Sequence, residues 1–248
     1  MKVSAFIIHL TRAAERKAQV QSLVTSLPCP AEIMEAVDGR EITDDQVAAC
    51  YRRTLHRPHY PFELSRGEIA CFLSHRAAWS AIVERGLDAG LVVEDDVAVD
   101  EPFAKVFAEA AGLIEPGDYI RFPRWERGEA GETIHSVGDM SIIEPFLPTL
   151  GMQAQLVGRE AARSLLAATE TFDRPVDSMV QMQWLHGARI LSARPITIRE
   201  IDRELGGTVL QNKKKGLMEW LHHELYRPLM RSAVARRNRQ WRLQGRKY

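Results

Sequence analysis

Cysteine is scarce in this chain. Cys29, Cys50 and Cys71 are odd in number, widely spaced and form no CxxC pair. That argues against a disulfide framework or a zinc site and points to reduced thiols. No apolar run is long enough to span a bilayer. The apolar opening, residues 1–8, is too short for the hydrophobic region of a signal peptide and meets Thr11, Arg12, Glu15 and Arg16 at once. A cytoplasmic protein is therefore expected. Internal repeats and low-complexity segments are absent. So is GxxxxGK[ST], which weighs against P-loop phosphoryl transfer.

Net charge is also missing, at +0 over 248 residues, but the balance is uneven. Residues 212–248 carry 11 Lys and Arg against 2 Asp and Glu, while the rest holds 22 against 31. An acidic body of −9 therefore bears a basic tail of +9, which suggests an anionic partner for the tail. Nucleic acid is not expected, because the basic residues are confined to the tail. With 45% hydrophobic and 27% charged residues, the composition is that of a globular protein able to form a sizeable core.

Residues 2–8 read as a strand, a helix capped by Thr11 runs to about Ser26, and residues 32–37 read as a second strand before the Asp38-Gly39 turn. Strand, helix and strand within about forty residues imply a mostly parallel α/β sheet. Residues 43–53 suggest a short helix. Ser65-Arg66-Gly67-Glu68 forms a capping box opening a helix that ends near Gly86. Helices are further expected over 102–113 and 159–169 and from Pro175, and short strands near 119–122, 141–156, 190–191 and 196–198. Residues 124–139, rich in glycine and charge, read as a mobile loop. Residues 217–241 read as a basic amphipathic helix interrupted at Pro228. The expected division is a catalytic domain over 1–211 and a helical tail over 212–248.

The apolar run Leu91-Val92-Val93 ends in Glu94-Asp95-Asp96. Three charges do not sit inside a sheet, so they mark its carboxyl edge, where open α/β sheets bind ligands. Alternation lets Glu94 and Asp96 converge on one hard cation with Asp95 turned away. Oxygen ligation suits Mg²⁺ or Mn²⁺, commonly shared with a substrate phosphate. Acids also end strands simply to cap the next helix.

Four stretches together resemble one family. These are Ala5-Phe6-Ile7-Ile8-His9-Leu10 with Arg12, Glu15 and Arg16; Ala36-Val37-Asp38-Gly39; Leu64-Ser65-Arg66-Gly67-Glu68-Ile69-Ala70-Cys71-Phe72-Leu73-Ser74-His75 with Trp79; and Val93-Glu94-Asp95-Asp96. In order and spacing they resemble glycosyltransferase family 25, the lipooligosaccharide sugar transferases related to collagen galactosyltransferases. The resemblance is dense over residues 3–97, weaker through 151–166 and 175–177, and absent from the tail. It implies a GT-A-like, Rossmann-type mixed α/β sheet flanked by helices, a nucleotide-sugar donor and an inverting transfer. Glu94 and Asp96 would form a variant of the Asp-x-Asp metal motif, with Glu in the commoner Asp position.

Breaking a sugar–diphosphate bond puts charge on the leaving phosphate, which a divalent cation neutralises. A base must take the acceptor hydroxyl's proton from the opposite face. The candidate is Asp177, though a helix N-terminus favours an Asp there anyway; Glu126 and Asp173 come next. The resemblance makes His75 a group that orients the nucleotide or the acids. Asp38 is a candidate for ribose or uracil, with Gly39 permitting close approach. Arg12 and Arg16 are candidates for the diphosphate, and Asp95 for a supporting place in the cofactor site. Gly151, Gln153 and Gln155 are assigned to the donor-sugar pocket. His186, His222 and His223 are candidates for a third metal ligand.

The expected activity is transfer of galactose or glucose from a UDP-sugar to a hydroxyl of a lipopolysaccharide or other surface glycan, with a glycan or glycolipid as acceptor. The tail suits an anionic membrane surface, which would make the enzyme peripheral on the inner membrane. It equally suits packing on the domain. The rivals are a metal-dependent phosphoryl-transfer or phosphate-hydrolysing enzyme and a degenerate transferase that only binds glycan or membrane.

Overall fold

Successive residues of a strand face opposite ways, and here both faces are covered. In β1 (Val3–His9), Phe6 and Ile8 join one core, while Ala5 and Ile7 join another. In β3 (Ala89–Glu94), Val92 goes with the first and Leu91 and Val93 with the second. Burial on both sides explains why these strands read as unbroken apolar runs. The computed structural model describes residues 1–125, 129–205 and 217–245, with side chains of the last segment from residue 228.

One eight-stranded sheet forms the middle layer, in the order β2-β1-β3-β8-β5-β9-β7-β6. Its other strands are β2 (Ala31–Glu35), β5 (Asp118–Arg121), β6 (Gly131–Val137), β7 (Met140–Pro145), β8 (Ala154–Gly158) and β9 (Arg189–Arg194). β8 and β7 run against the remaining six. This is the mixed, mostly parallel sheet flanked by helices that was expected. β4 (Val97–Val99) pairs separately with β10 (Ile198–Glu200).

One face is covered by α1 (Lys17–Ser26) and α4 (Phe103–Leu113), through Val20, Leu23, Phe103, Val106 and Phe107. The other is covered by α2 (Asp44–Cys50), α3 (Arg66–Glu84), α5 (Arg159–Ala168), α6 (Val176–Val180) and α7 (Gln183–His186). α3 forms as its capping box predicts, with Ser65 and Glu68 satisfying each other's amides, and Gly86 ends it at φ 58. Its Ile69, Phe72, Trp79 and Ile82 are buried, each worth roughly 1.5–3 kcal/mol. Phe72 also stacks on Phe172 at 3.9 Å. Arg76, a polar break in this stripe, donates to the Leu166 carbonyl and ties α3 to α5.

Three expectations need correction. Thr11 caps no helix: a 3-10 turn at Ala14–Arg16 precedes α1, and Thr11 donates to Glu35. Residues 131–137 of the expected loop form β6, joined to β7 by a two-residue turn with Gly138 at φ 56. The final helix, α8 (Leu217–Leu243), runs through Pro228 without a break. Val234 of α8 joins the core on the α3 side, and Trp241 is buried too. No helix among the described residues is long and apolar enough to cross a membrane.

Candidate active site

β2 lies on one side of β1 and β3 on the other, so chain order reverses between β1 and β3. Their carboxyl ends open a crevice at this switch point. A cleft of about 790 Å³ fills it. Glu94 ends β3, Asp95 and Asp96 form a turn, and β4 begins at once. The Asp96 carbonyl accepts the Ile201 amide at 2.8 Å, which ties this turn to the end of β10.

All three acids line the cleft but differ in their partners, and the last two stand in a turn rather than a strand. Asp95 is buried and both its oxygens are engaged, Oδ1 by Arg16 Nη1 at 2.5 Å and Oδ2 by His9 Nδ1 at 2.8 Å. Burial alone would lower the Arg16 pKa, but Asp95 and Asp96 outweigh it and hold the guanidinium above its ordinary value. Asp95 thus fixes the turn through Arg16 and His9.

Glu94 and Asp96 line the cleft. Burial, and then the repulsion of Glu94, push Asp96 up to about 7. Its Oδ2 lies 3.3 Å from Arg16, while its buried Oδ1 has no hydrogen-bond partner among the described residues. Two crowded carboxylates with an orphaned oxygen are what a divalent cation would relieve, so this pair fits Mg²⁺ or Mn²⁺. His75 Nε2 stands 3.3 Å from Glu94 Oε1, and its Nδ1 faces Gln155 at 3.5 Å. Cys71, His75 and Glu94 bring one ligand atom each within 4.8 Å of one another. Burial, reinforced by Glu94, holds the Cys71 thiol well above its ordinary pKa. A protonated thiol is a poor ligand, so the oxygen pair with His75 is the better cation seat.

Asp177 enters the same cleft from the start of α6. Its Oδ2 accepts the Gly151 amide at 3.2 Å and its Oδ1 the Ser178 amide at 2.6 Å. Burial raises its pKa above the usual carboxylate range against those two amides. Gly151 has φ +116, a conformation side chains rarely adopt. It and Gln153 line the cleft, whereas Gln155 lies buried behind it, against His75.

Arg12 and Gly39 line the cleft as well. Asp38 accepts from Arg12 Nε at 2.5 Å and from the Arg40 amide at 2.9 Å, and opens on an adjoining depression. The Arg40 amide, with help from Arg12, holds its pKa down. Gly39 packs so closely on the Arg66–Gly67 backbone that a Cβ would lie 2.9 Å from it. Asp173 is not free to act as a base: Arg174 and the amides of Leu55 and His56 take its oxygens. His186 is no metal ligand either. Its Nε2 faces the Val180 carbonyl, its Nδ1 accepts the Ala188 amide, and burial lowers its pKa to about 4. Glu126, and the side chains of His222 and His223, lie outside the described residues.

The cleft also contains residues that sequence reasoning missed. Glu200 ends β10 and Asp202 follows it, Arg124 pairs with Glu200, and Met230 and Arg231 come from α8. The pairing of β4 with β10 carries Glu200 to the acid turn, a non-local contact with no local signal.

The profile of glycosyltransferase family 25 (LPS biosynthesis protein) matches residues 2–180. This chain belongs to glycosyltransferase family 25. Human procollagen galactosyltransferase 2 is 28% identical over 190 residues, covering 72% of this chain and 30% of that protein. A mouse relative described as inactive glycosyltransferase 25 family member 3 is 32% identical over 103 residues, covering 40% and 17%. The family 25 chain therefore spans less than a third of the length of these relatives. The solved structure of A197 from STIV gives a TM-score of 0.39 at 13% identity, covering 88% of this chain and 100% of that one.

Proposed function

We propose that this family 25 chain is an inverting hexosyltransferase. It would move galactose or glucose from a UDP-sugar to a hydroxyl of a lipopolysaccharide or other surface glycan. The observation that carries this reading is one cleft holding the Glu94/Asp96 pair, with its orphaned Asp96 oxygen, and a separate buried carboxylate, Asp177. A cation on Glu94 and Asp96 would supply charge neutralisation at the leaving diphosphate. His75 steadies Glu94, and Asp95 steadies the turn through Arg16. Arg12, braced by Asp38, and Gly39 form the nucleotide side, while Gly151 and Gln153 face the donor sugar. Asp177 accepts the acceptor hydroxyl's proton on its carboxylate, and a raised pKa makes it the stronger base. The exposed Arg236 and Arg239 of α8 suit an anionic membrane surface at the cytoplasmic side.

The test is UDP release from UDP-galactose and UDP-glucose with and without Mn²⁺. Metal-dependent UDP release that Asp96→Ala abolishes, with the metal-free thermal midpoint not lowered, is the expected outcome. Full activity in Asp96→Ala sinks the metal assignment, and release of inorganic phosphate instead of UDP favours a phosphate-hydrolysing enzyme. The mouse relative described as inactive makes binding without catalysis the second reading. UDP-sugar binding without turnover over a panel of acceptors would support it.

A further inference from the structure

Arg231 stands three, seven and ten residues before Val234, Asn238 and Trp241, all three of them buried. Those spacings put the four side chains on one helical stripe, the face α8 turns towards the domain. Asn238 fixes the register: its Oδ1 accepts the Gln183 amide at 3.2 Å and its Nδ2 donates to the Gln181 carbonyl at 2.8 Å. Arg237 adds a bond to the Arg57 carbonyl at 2.8 Å and lies over the Trp184 ring. The anchored stripe delivers half-buried Arg231 to the cleft.

Four other cleft arginines meet carboxylates, Arg12 with Asp38, Arg16 with Asp95, Arg66 with Asp44, and Arg124 with Glu200, and the remaining one, Arg40, is exposed to solvent. Arg231 makes no hydrogen bond or ion pair with any described residue. An inward-facing guanidinium without a partner is costly unless something anionic joins it. Its planar fork fits a carboxylate or a phosphate. Position indicates whose anion this is. α8 docks on Gln181, directly after α6, and α6 carries Asp177. A base must touch the acceptor hydroxyl, and Arg231 lines the same cleft as Asp177, so Arg231 is placed on the acceptor side. Tyr60 and Phe62, edge to face at 5.6 Å, add an aromatic wall beside Met230.

We propose that Arg231 recognises the acceptor, and that the acceptor sugar carries a carboxylate or phosphate, its ring packed against Tyr60, Phe62 and Met230. The choice of acceptor over donor rests on the reading of Asp177 as the base. The tail helix would then act as a specificity element of the cleft.

The experiment is direct binding to the full chain, followed by ligand-observed NMR titration with glucuronic acid, glucose 6-phosphate, glucose and UDP. The two anionic sugars separate carboxylate from phosphate. The expected result is a preference of about tenfold or more for at least one of them over glucose, the scale of a charge-assisted hydrogen bond. Arg231→Gln should abolish that preference, Arg231→Lys should keep part of it, and UDP affinity should stay unchanged in both. Anionic-sugar affinity unchanged in Arg231→Gln overturns the proposal. A matching loss of UDP affinity overturns it too, by moving Arg231 to the donor diphosphate. Transfer assays on Asp177→Asn test the base separately, because the titration needs no turnover.

Discussion

Replacing Asp95 by Asn separates the acid whose two oxygens hold the turn from its neighbours Glu94 and Asp96. The Asp95 and Arg16 side chains are 9% and 5% exposed, so their pair has little solvent screening. Asn keeps the shape but loses the charge. Arg16 Nη1 then keeps Asp96 at 3.3 Å as its charged partner in place of Asp95 at 2.5 Å, and His9 loses an anionic one at 2.8 Å. Removing one member of a buried pair costs about 3–5 kcal/mol. The surviving Asp96 contact and the one bond an Asn oxygen can still accept place the expectation near the lower end, at about 3 kcal/mol. For a chain of this size each kcal/mol moves the thermal midpoint by about 2–4 °C, which predicts a fall of about 6–12 °C. Asp96→Asn relieves crowding with Glu94, which offsets the weakened 3.3 Å contact to Arg16, and should not lower the midpoint of the metal-free protein. Calorimetry in the presence of a chelator, with urea titration alongside, measures both. A midpoint for Asp95→Asn within about 1 °C of wild type would refute the reasoning, as would a larger fall for Asp96→Asn.

Asp177→Asn should lower kcat by about 10²–10⁴-fold, the usual range for a positioned base, while leaving UDP-sugar affinity intact. Because burial raises the Asp177 pKa, wild-type activity should climb as pH rises through a value above the ordinary Asp range, and that limb should vanish from the variant's pH–rate profile. His186 is neutral in the fold, with its pKa lowered to about 4 by burial. Its folded value lies below the unfolded one, so its share of stability is complete above about pH 6.5 and is lost as pH falls towards 4. The shift corresponds to about 3 kcal/mol, and His186→Gln should flatten that part of the stability–pH curve in urea denaturation.

Features written locally were legible. The Ser65–Glu68 capping box predicts α3, and the apolar run ending in three acids predicts β3 and its edge position. Asp177 at the start of α6 could be picked out because Arg174-Pro175 marks a helix start. Features built from distant partners were not. The stretch over 124–139 reads as loop because it is charged, yet Glu129 is buried between Arg121 and Arg194, 8 and 65 residues away. One local signal was passed over: Gly138-Asp139 is a hairpin dipeptide, and it is where β6 turns into β7. Asp173 reads as a free carboxylate in the sequence, but its buried pair with Arg174 is formed only in the fold. The inward stripe of α8 was also written in the sequence, in the spacing of Arg231, Val234, Asn238 and Trp241, but a helix rich in arginine suggests a solvated or membrane-bound surface first.

The charges of the cleft can be sorted by one criterion: which of them the chain itself satisfies. Arg12, Arg16, Arg66 and Arg124 meet carboxylates, and Asp95 is held on both oxygens. Asp177 is held by two backbone amides, which fix its direction without neutralising it. Apart from the exposed Arg40, two charges of opposite sign find no partner among the described residues, the Asp96 oxygen and the half-buried Arg231 guanidinium. A folded chain gains nothing from burying either one alone, since each loses hydration without a partner. Both become favourable if the ligands bring the complements: a cation with the donor at Asp96, and an anion on the acceptor at Arg231. Asp177 lines the same cleft as Arg231, so it would meet the acceptor hydroxyl once Arg231 has gripped the anion. Acceptor grip and proton removal would then be set by two side chains whose segments are tied together where Asn238 donates to the Gln181 carbonyl.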